Sequence, residues 1–445
     1  MTDKGVAYNA PLGSTTGSGN IDFNTDDYKQ ANDATLTILE GDNRYLKKVS
    51  AVEEITSIDT DQEPVAIGKN AGSDTQGAGS VAIGSNAGSD HAQIDSIAIG
   101  ENAGVDHDGE GAICIGRNAG NDGQDAEAIA IGLNAGRDSQ GTDAVAIGFG
   151  AGETNMGLMS VAIGTNAGGS DMGEFAVSLG NYTTPQTDLA DYAISIGNDA
   201  ALTNGSIYSI SIGKDAGKNT IANRAIAIGT NAGIKQLSAE CVAIGTDALR
   251  ADGSGESIGA RVVAIGESAL KKGCGSDIVA IGNKAGGGDD TLGSRLASGS
   301  VAIGYRSMAE LNGGLASFVG QTTCIGAYSG ERNAGDYATA IGYKAGRTNL
   351  GSQSVCVGQE SSTNNSTGAV AIGKNCSVES ANYSIAIGAN CDVNHSGVLM
   401  LNATGSTLSS GGNGRVYIAP LRSVSGSSSG LLWYNPSTGE VVERV

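Results

Sequence analysis

The sequence has few large side chains. Of its 445 residues, 4% are aromatic, one is Trp and five are Pro, whereas 71 are Gly. A globular core for a chain of this length would need more bulk, so the composition favours a thin, extended fold. The sequence also lacks a run of 18 apolar residues, so we expect no insertion into a membrane. Its first residues, M-T-D-K-G-V-A-Y-N-A, contain no apolar segment of the kind found in secretory signals.

Positive charge is scarce as well. The chain has 26 Lys and Arg against 47 Asp and Glu, which gives a formal net charge of −21. Such a charge repels polyanions, so it argues against nucleic acid or an anionic membrane as a partner. It keeps an elongated protein soluble and leaves many carboxylates that could hold cations. Calcium is therefore a possible ligand, and we expect no other cofactor.

What the sequence has instead is a repeat. Ser80–Gly88 reads S-V-A-I-G-S-N-A-G, and Ser96–Gly104 reads S-I-A-I-G-E-N-A-G sixteen residues later. We call the glycine of each such unit the anchor glycine. The 20 anchor glycines are mostly 16 residues apart, with one step of 17, three of 21 or 22 and two of 15. Self-similarity at a fixed period predicts a solenoid whose coils stack on one another. The anchor glycines are Gly68, Gly84, Gly100, Gly116, Gly132, Gly148, Gly164, Gly180, Gly197, Gly213, Gly229, Gly245, Gly266, Gly282, Gly304, Gly326, Gly342, Gly358, Gly373 and Gly388.

The residues before each anchor glycine predict a short β-strand, because they are β-branched and too few for a helix. Val or Ile occupies the third position before the glycine in 18 of 20 units, and Ile occupies the position just before it in 18 of 20. Between them stands only Ala, Ser or Cys, which we call the small row. Alternate side chains point to opposite faces. We therefore predict that the Val and Ile pairs fill the coil and that the small row packs against other copies, in a trimer. The alternative is that a turn of the same coil covers the small row. The predicted trimer interface is Ala66, Ala82, Ala98, Ala130, Ala146 and Ala162.

The V-A-I-G and N-A-G strings resemble the head domain of trimeric autotransporter adhesins of the YadA type, whose repeat is built around N-S-V-A-I-G. The resemblance covers about residues 64 to 391. It implies an all-β fold, a left-handed parallel β-roll of about 20 coils, with three rolls packed side by side. The family's repeat is usually a residue or two shorter than the 16 found here. The turns of this chain are therefore expected to be longer.

Composition divides the chain into four parts. Residues 1–48 predict an N-terminal attachment arm and hairpin, 49–63 a connector, 64–395 the β-roll and 396–445 a small C-terminal β cap. The string G-D-N-R-Y-L-K-K at 41–48 resembles a sequence that recurs in phage tail fibres. The cap resembles the segment at the distal end of viral fibres, just before a chaperone domain that cleaves itself off. Whether such a domain was removed here stays open.

An autotransporter needs a signal for export and a membrane anchor, and neither is recognisable here. We therefore expect a protein that is folded in the cytoplasm and carried outward on a particle. The predicted function is that of a fibre or spike without enzymatic activity. Its N-terminus would join a virion or tail protein, and its outer parts would bind a glycan or protein on the host cell surface. The alternatives are a bacterial adhesin head and a glycan-cleaving tailspike, which needs two carboxylates at a defined separation in a groove.

Binding specificity is predicted where the repeat is irregular. Three lengthened units carry arginines that would suit acidic glycans, although they can equally be tolerated variation. The cap carries aromatic residues that dominate binding hot spots, although its only Trp can also be buried core. The receptor-binding candidates are Arg250, Arg261, Arg295, Arg306, Trp433 and Tyr434.

Five aspartates lie six residues after successive anchor glycines, which predicts a column of carboxylates about 4.8 Å apart. Either calcium bridges them or they are solvated caps of turns. His91 and His107 each follow one of these aspartates. The column consists of Asp74, Asp90, Asp106, Asp122 and Asp138. Five of the seven cysteines fall at small core positions and are predicted to be free thiols.

Overall fold

The computed structural model describes residues 64–106, 109–183, 189–203, 205–251, 257–287, 296–309, 320–420, 431–434 and 441–444. The predicted arm and connector, residues 1–63, lie outside this range, as do parts of the three lengthened units. The described residues form an all-β parallel solenoid of about 20 coils of roughly 16 residues, and they contain no helix. The predicted fold class is therefore confirmed at this level.

Each coil contributes its V-A-I strand to one parallel sheet, which we call the long sheet. Neighbouring strands pair in register, so that Ile97 lies beside Ile113 and Ala98 beside Cys114. The sheet continues beyond the predicted boundary at residue 395, because two further strands join it in parallel. The 22 strands are Val65–Ile67, Val81–Ile83, Ile97–Ile99, Ile113–Ile115, Ile129–Ile131, Val145–Ile147, Val161–Ile163, Val177–Leu179, Ile194–Ile196, Ile210–Ile212, Ile226–Ile228, Val242–Ile244, Val262–Ile265, Ile278–Ile281, Val301–Ile303, Thr323–Ile325, Thr339–Ile341, Val355–Val357, Val370–Ile372, Ile385–Gly388, Leu399–Asn402 and Val416–Ala419.

The other wall of the coil is a second, interrupted sheet. Short parallel strands alternate with single bridges, such as the one between Met156 and Met172. Its strands are Asp122–Gln124, Asp138–Gln140, Thr154–Met156, Arg332–Ala334, Thr348–Leu350, Ser377–Val378, Cys391–Val393 and Leu408–Ser409. At the C-terminal end, Leu431–Tyr434 pairs antiparallel with Val441–Arg444.

The anchor glycine sets the spacing between coils. Gly132 has a φ of +133°, and a Cβ atom placed there would lie 2.4 Å from the carbonyl oxygen of Gly148 in the next coil. Real Cβ atoms do not approach a backbone oxygen this closely. Glycine is therefore required for the backbones of successive coils to stack at this position.

The Asn of the N-A-G string has two roles. It stands two residues after the anchor glycine in the left-handed conformation, which Asn tolerates better than most residues, and Asn102 has a φ of 54°. Its side chain also joins a ladder along the rod. Asn86 Nδ2 donates to Asn102 Oδ1 at 3.0 Å, and Asn102 Nδ2 donates to Asn118 Oδ1 at 3.2 Å. The left-handed backbone and the side-chain ladder thus both favour Asn at this position.

The small row fills the inside of the coil. Each alanine of the predicted trimer interface is at most 1% exposed in the single chain. From the second sheet, Gln140 Nε2 reaches across the coil and donates to the carbonyl oxygen of Ile129 at 2.9 Å, beside Ala130. The prediction that these alanines contact other copies is therefore wrong, and coverage by the same coil is confirmed. The alanines that were predicted at the interface and lie inside the coil instead are Ala66, Ala82, Ala98, Ala130, Ala146 and Ala162.

The long side chains of the core come from the second sheet. In most coils they stand about eight residues after the anchor glycine, and they are at most 4% exposed. Because they span the narrow space between the two sheets, the facing position has room only for Ala, Ser or Cys. The Val and Ile side chains are consequently left on the outside. The long core residues include Gln124, Gln140, Met156, Met172, Leu189, Ile221 and Leu237.

Candidate functional surfaces

The Val and Ile side chains beside the small row form an apolar stripe on the outside of the long sheet, here called the aliphatic face. In Ile129–Ile131 the central Ala is buried and both Ile are partly exposed. Ile67 is 47% exposed and Ile163 is 40% exposed. The expectation that these side chains fill the coil is therefore wrong.

The size of the aliphatic face follows from strand geometry. Two columns of side chains, roughly 7 Å apart along the strand and about 100 Å long, cover on the order of 700 Å². The largest apolar patch on a typical soluble monomer is about 300–600 Å². An apolar surface of this size is typical of interaction sites on soluble proteins.

Two of the predicted receptor-binding arginines form ion pairs with aspartates. Arg261 donates to both oxygens of Asp277, at 2.6 and 2.9 Å. This hydrogen bonding raises the pKa of Arg261 and lowers the pKa of Asp277. Arg250 donates to Asp247 at 3.1 Å. Arg295 lies outside the described residues.

The predicted aromatic contacts of the cap lie on its hairpin. Trp433 stands opposite Val442 and Tyr434 opposite Val441 in the antiparallel pair. Their role in binding stays a prediction.

Arg306 belongs to a cluster at the turns that follow three successive strands of the long sheet. We call this cluster, which surrounds Glu331, the tyrosine–arginine patch. The ring centroids of Tyr305 and Tyr328 are 5.1 Å apart with an interplanar angle of 86°. Those of Tyr328 and Tyr343 are 6.2 Å apart at 83°. The patch consists of Tyr305, Arg306, Tyr328, Tyr343, Lys344 and Arg347.

Glu331 holds the two arginines of the patch in place. Its carboxylate is 2% exposed and accepts from Arg306 Nε at 3.0 Å and from Arg347 Nε at 2.7 Å. The Arg347 guanidinium lies 5.5 Å from the centroid of the Tyr328 ring. One buried carboxylate thus holds two guanidinium groups, of which that of Arg347 lies beside a ring, and removing it would leave them without their shared counter-ion.

Sequence reasoning found Arg306 but missed the tyrosines. They occupy turn positions, and their ring contacts join residues 15 to 23 positions apart along the chain. A signal was nevertheless present. The residue two positions after the anchor glycine is neither Asn nor Asp in six consecutive coils, which carry Ser268, Lys284, Arg306, Tyr328, Lys344 and Glu360 there.

A second aromatic cluster lies at the other turn of the coil, just before the long-sheet strands. Phe175, Tyr192 and Tyr208 stack with centroid separations of 5.0 Å for each neighbouring pair and interplanar angles of 9° and 21°. Because the stacked rings cover one another, only the two ends of the stack offer a ring face to a ligand.

An open groove of about 710 Å³ adjoins this stack, and its lining includes Asp171 and Asp191. Asp171 Oδ1 accepts from Asn155 Nδ2 at 2.5 Å. Asp191 Oδ1 accepts from the backbone nitrogen of Glu174 at 3.0 Å. Both carboxylates therefore stabilise neighbouring turns. This arrangement gives the tailspike alternative no specific support.

The predicted aspartates do form a column. Asp90 bridges to Asp106 and Asp106 to Asp122, and Asp122 pairs in register with Asp138. At the far end, Arg137 lies 2.8 Å from Asp138, which offsets part of the repulsion between the carboxylates. The predicted alignment is therefore confirmed.

The other end of the column is a candidate cation site. Ligand atoms of Asp74, Asp90 and His91 all lie within 4.8 Å of one another. All three groups are at least partly exposed, and exposed acidic groups commonly occur without an ion. Bound calcium and solvated turn caps therefore both stay predictions. His107 lies outside the described residues.

All seven cysteines are buried free thiols, including the five for which this was predicted. Cys324 and Cys356 stand in the small row, where burial raises their pKa values to about 12 and about 11. Such thiols stay protonated at neutral pH and act as compact apolar side chains.

Within the ranges that the structure describes, there is no helix long and apolar enough to cross a membrane. A search against models of protein families finds no match for this chain, and a search of curated proteins finds none either. The resemblance to YadA-type head repeats therefore rests on the repeat itself, and what it implies for function is a proposal.

Proposed function

We propose that this chain is a structural fibre or spike protein, that it assembles as a homotrimer, and that it attaches a virus or phage particle to the surface of a host cell. The observation that carries the proposal is the aliphatic face. A parallel sheet normally has both of its faces covered, whereas here the second sheet covers only the inner one.

Burial of the aliphatic face is large enough to drive association. At about 25 cal/mol per Å², an area on the order of 700 Å² corresponds to roughly 17 kcal/mol before costs. The loss of translational and rotational freedom on association opposes this with about 4–15 kcal/mol. The net free energy of association is therefore favourable. The proposed interface accordingly shifts from the alanines to residues of the aliphatic face such as Ile83, Ile131 and Val145.

The proposed geometry is parallel and side by side. A straight stripe along the rod lets identical copies meet through the same surface around one rotation axis. The number of three copies is what the resemblance to YadA-type heads implies. Residues 41–48 and the C-terminal segment resemble parts of viral fibres, which favours a particle fibre over the alternative of a bacterial adhesin head.

The repeat suggests which parts of the rod act as a spacer and which parts bind a ligand. A rod of about 100 Å that presents a similar surface every 4.8 Å or so suits a spacer. Recognition is then expected where the repeat is interrupted by unusual side chains or by lengthened turns.

Immunogold electron microscopy with antibodies against the full chain tests this function on particles and cells from the same source. Label along fibres that project from particles is the expected result. Label confined to the cell envelope, with bare particles, would favour the adhesin alternative and contradict the proposal.

A further inference from the structure

The tyrosine–arginine patch occupies turn positions that disfavour its own side chains. The N-terminal coils place Asn in the left-handed position two residues after the anchor glycine. Here Arg306, Tyr328 and Lys344 adopt it, with φ angles of 51°, 58° and 54°. Bulky residues are disfavoured in this conformation, and they also give up the side-chain ladder that Asn forms. Lys284 and Glu360 adopt the same conformation in the flanking coils, so the conformation belongs to the coil, and the patch is distinguished by the aromatic and cationic side chains that stand there.

The patch offers aromatic surface to solvent. Tyr305 is 44% exposed and Tyr343 is 45% exposed. Both rings stand nearly perpendicular to Tyr328 between them, so the three rings do not cover one another as a parallel stack would. The C–H groups of a sugar ring pack well on such aromatic surface.

The cations of the patch are held beside these rings. Glu331 fixes Arg306 and Arg347, while Lys344 Nζ lies 4.9 Å from the centroid of the Tyr343 ring. Guanidinium groups recognise carboxylate, sulfate and phosphate groups by paired hydrogen bonds. Their restraint by a buried carboxylate means that little freedom remains to be lost when a ligand binds.

We propose that the tyrosine–arginine patch binds an acidic polysaccharide. A sugar ring packs on Tyr305 or Tyr343, and its anionic group pairs with Arg347. The inference rests on the proposed attachment function, for which it names the class of ligand. A trimer would present three patches, so weak binding at each would combine into strong attachment.

The charge of the chain selects among anionic ligands. At −21 per copy, the rod as a whole repels densely charged polymers such as nucleic acids. A glycan with one charge per sugar unit or fewer can place that charge on the patch and keep its neutral parts near the acidic surface.

Binding of defined oligosaccharides to the full chain tests the inference. The probes are an oligogalacturonate for carboxylate, a κ-carrageenan hexasaccharide for sulfate, a phosphomannan fragment for phosphate and a dextran as the neutral control. The first variant combines Tyr305→Ala with Tyr343→Ala. The matched control combines Tyr192→Ala with Tyr208→Ala, which removes two similarly exposed tyrosines elsewhere on the rod.

The chain is expected to bind at least one acidic probe and not dextran. The patch variant should lose about tenfold or more in affinity, which is the scale of a binding hot spot, and the control should bind like the parent chain. Replacement of Arg347 by Lys should weaken binding less than its replacement by Gln, since Lys keeps the charge.

Three results would overturn the inference: no acidic probe binds, the patch variant binds normally, or only the patch variant loses its assembly state. The last result would make the patch a contact between copies. A chain that labels particle fibres but binds no acidic sugar refutes this inference alone. A chain that binds acidic sugars but is absent from fibres refutes the proposed function alone.

Discussion

Replacement of a small-row alanine by leucine should destabilise the coil itself. Ala130 is fully buried between its strand and Gln140 of the opposite wall. Leu adds three carbon atoms where the structure has no space, and overpacking of this kind costs about 1–3 kcal/mol per site. Ala98 lies two coils away, roughly 10 Å by the strand spacing. Changes at such a separation are nearly additive, so the double variant should lose about 2–6 kcal/mol.

Urea denaturation followed by far-ultraviolet circular dichroism measures this loss at a fixed chain concentration. The control is Glu101→Gln, which changes an exposed turn side chain outside both the small row and the aliphatic face. Its effect should stay within about 0.5 kcal/mol. Light scattering of each variant in native buffer reports the assembly state separately.

The orientation of the strands would be refuted by the opposite pattern. If Ala130→Leu splits the assembly into single chains that unfold at the same urea concentration as the parent chain, the small row faces other copies. Loss of stability with the assembly retained in native buffer supports the structure.

Three further predictions concern the coil. Gly132→Ala should lower the urea midpoint by more than Ala130→Leu, since the new Cβ would meet the backbone of Gly148 rather than a side chain. Asn102→Ala should cost about 1–2 kcal/mol, and Asn102→Gly should cost less because it keeps the left-handed conformation; thermal melts of both variants check this ranking. Burial raises the pKa of Cys324 to about 12, so the unfolded chain loses this proton first as the pH rises. Stability should therefore be unaffected below about pH 9 and fall between about pH 9 and 12, and less so in Cys324→Ala, as urea titrations at several pH values would show.

The repeat was sufficient to predict the period, the positions of the strands and their parallel, in-register stacking. It did not reveal which face of the strand lies inside. A Val-Ala-Ile strand has large side chains on one face and a small side chain on the other. The size of the side chains on the opposite wall determines which face can pack inside the coil. That wall carries Met156, Leu189 and their equivalents, whose long side chains stand in a segment that otherwise reads as a polar loop.

The tyrosine–arginine patch was not predicted, for a different reason. Its contacts run between coils, as in the pairing of Tyr328 with Arg347. The missing Asn two residues after the anchor glycine marks an unusual turn, but it does not show which side chains meet there. The column of aspartates was predictable, because equal spacing from the anchor glycine places its members on one line.

The mass of the native full chain in solution tests the central claim most directly. Size-exclusion chromatography with light scattering should give about 133 kDa, three times the 44.2 kDa of one chain. Ile83→Asp combined with Ile131→Asp, which puts charge on the aliphatic face, should reduce the mass to 44.2 kDa while the spectrum of a folded β protein is retained. A mass of 44.2 kDa for the folded parent chain would contradict the account, because the aliphatic face would then stand uncovered in water.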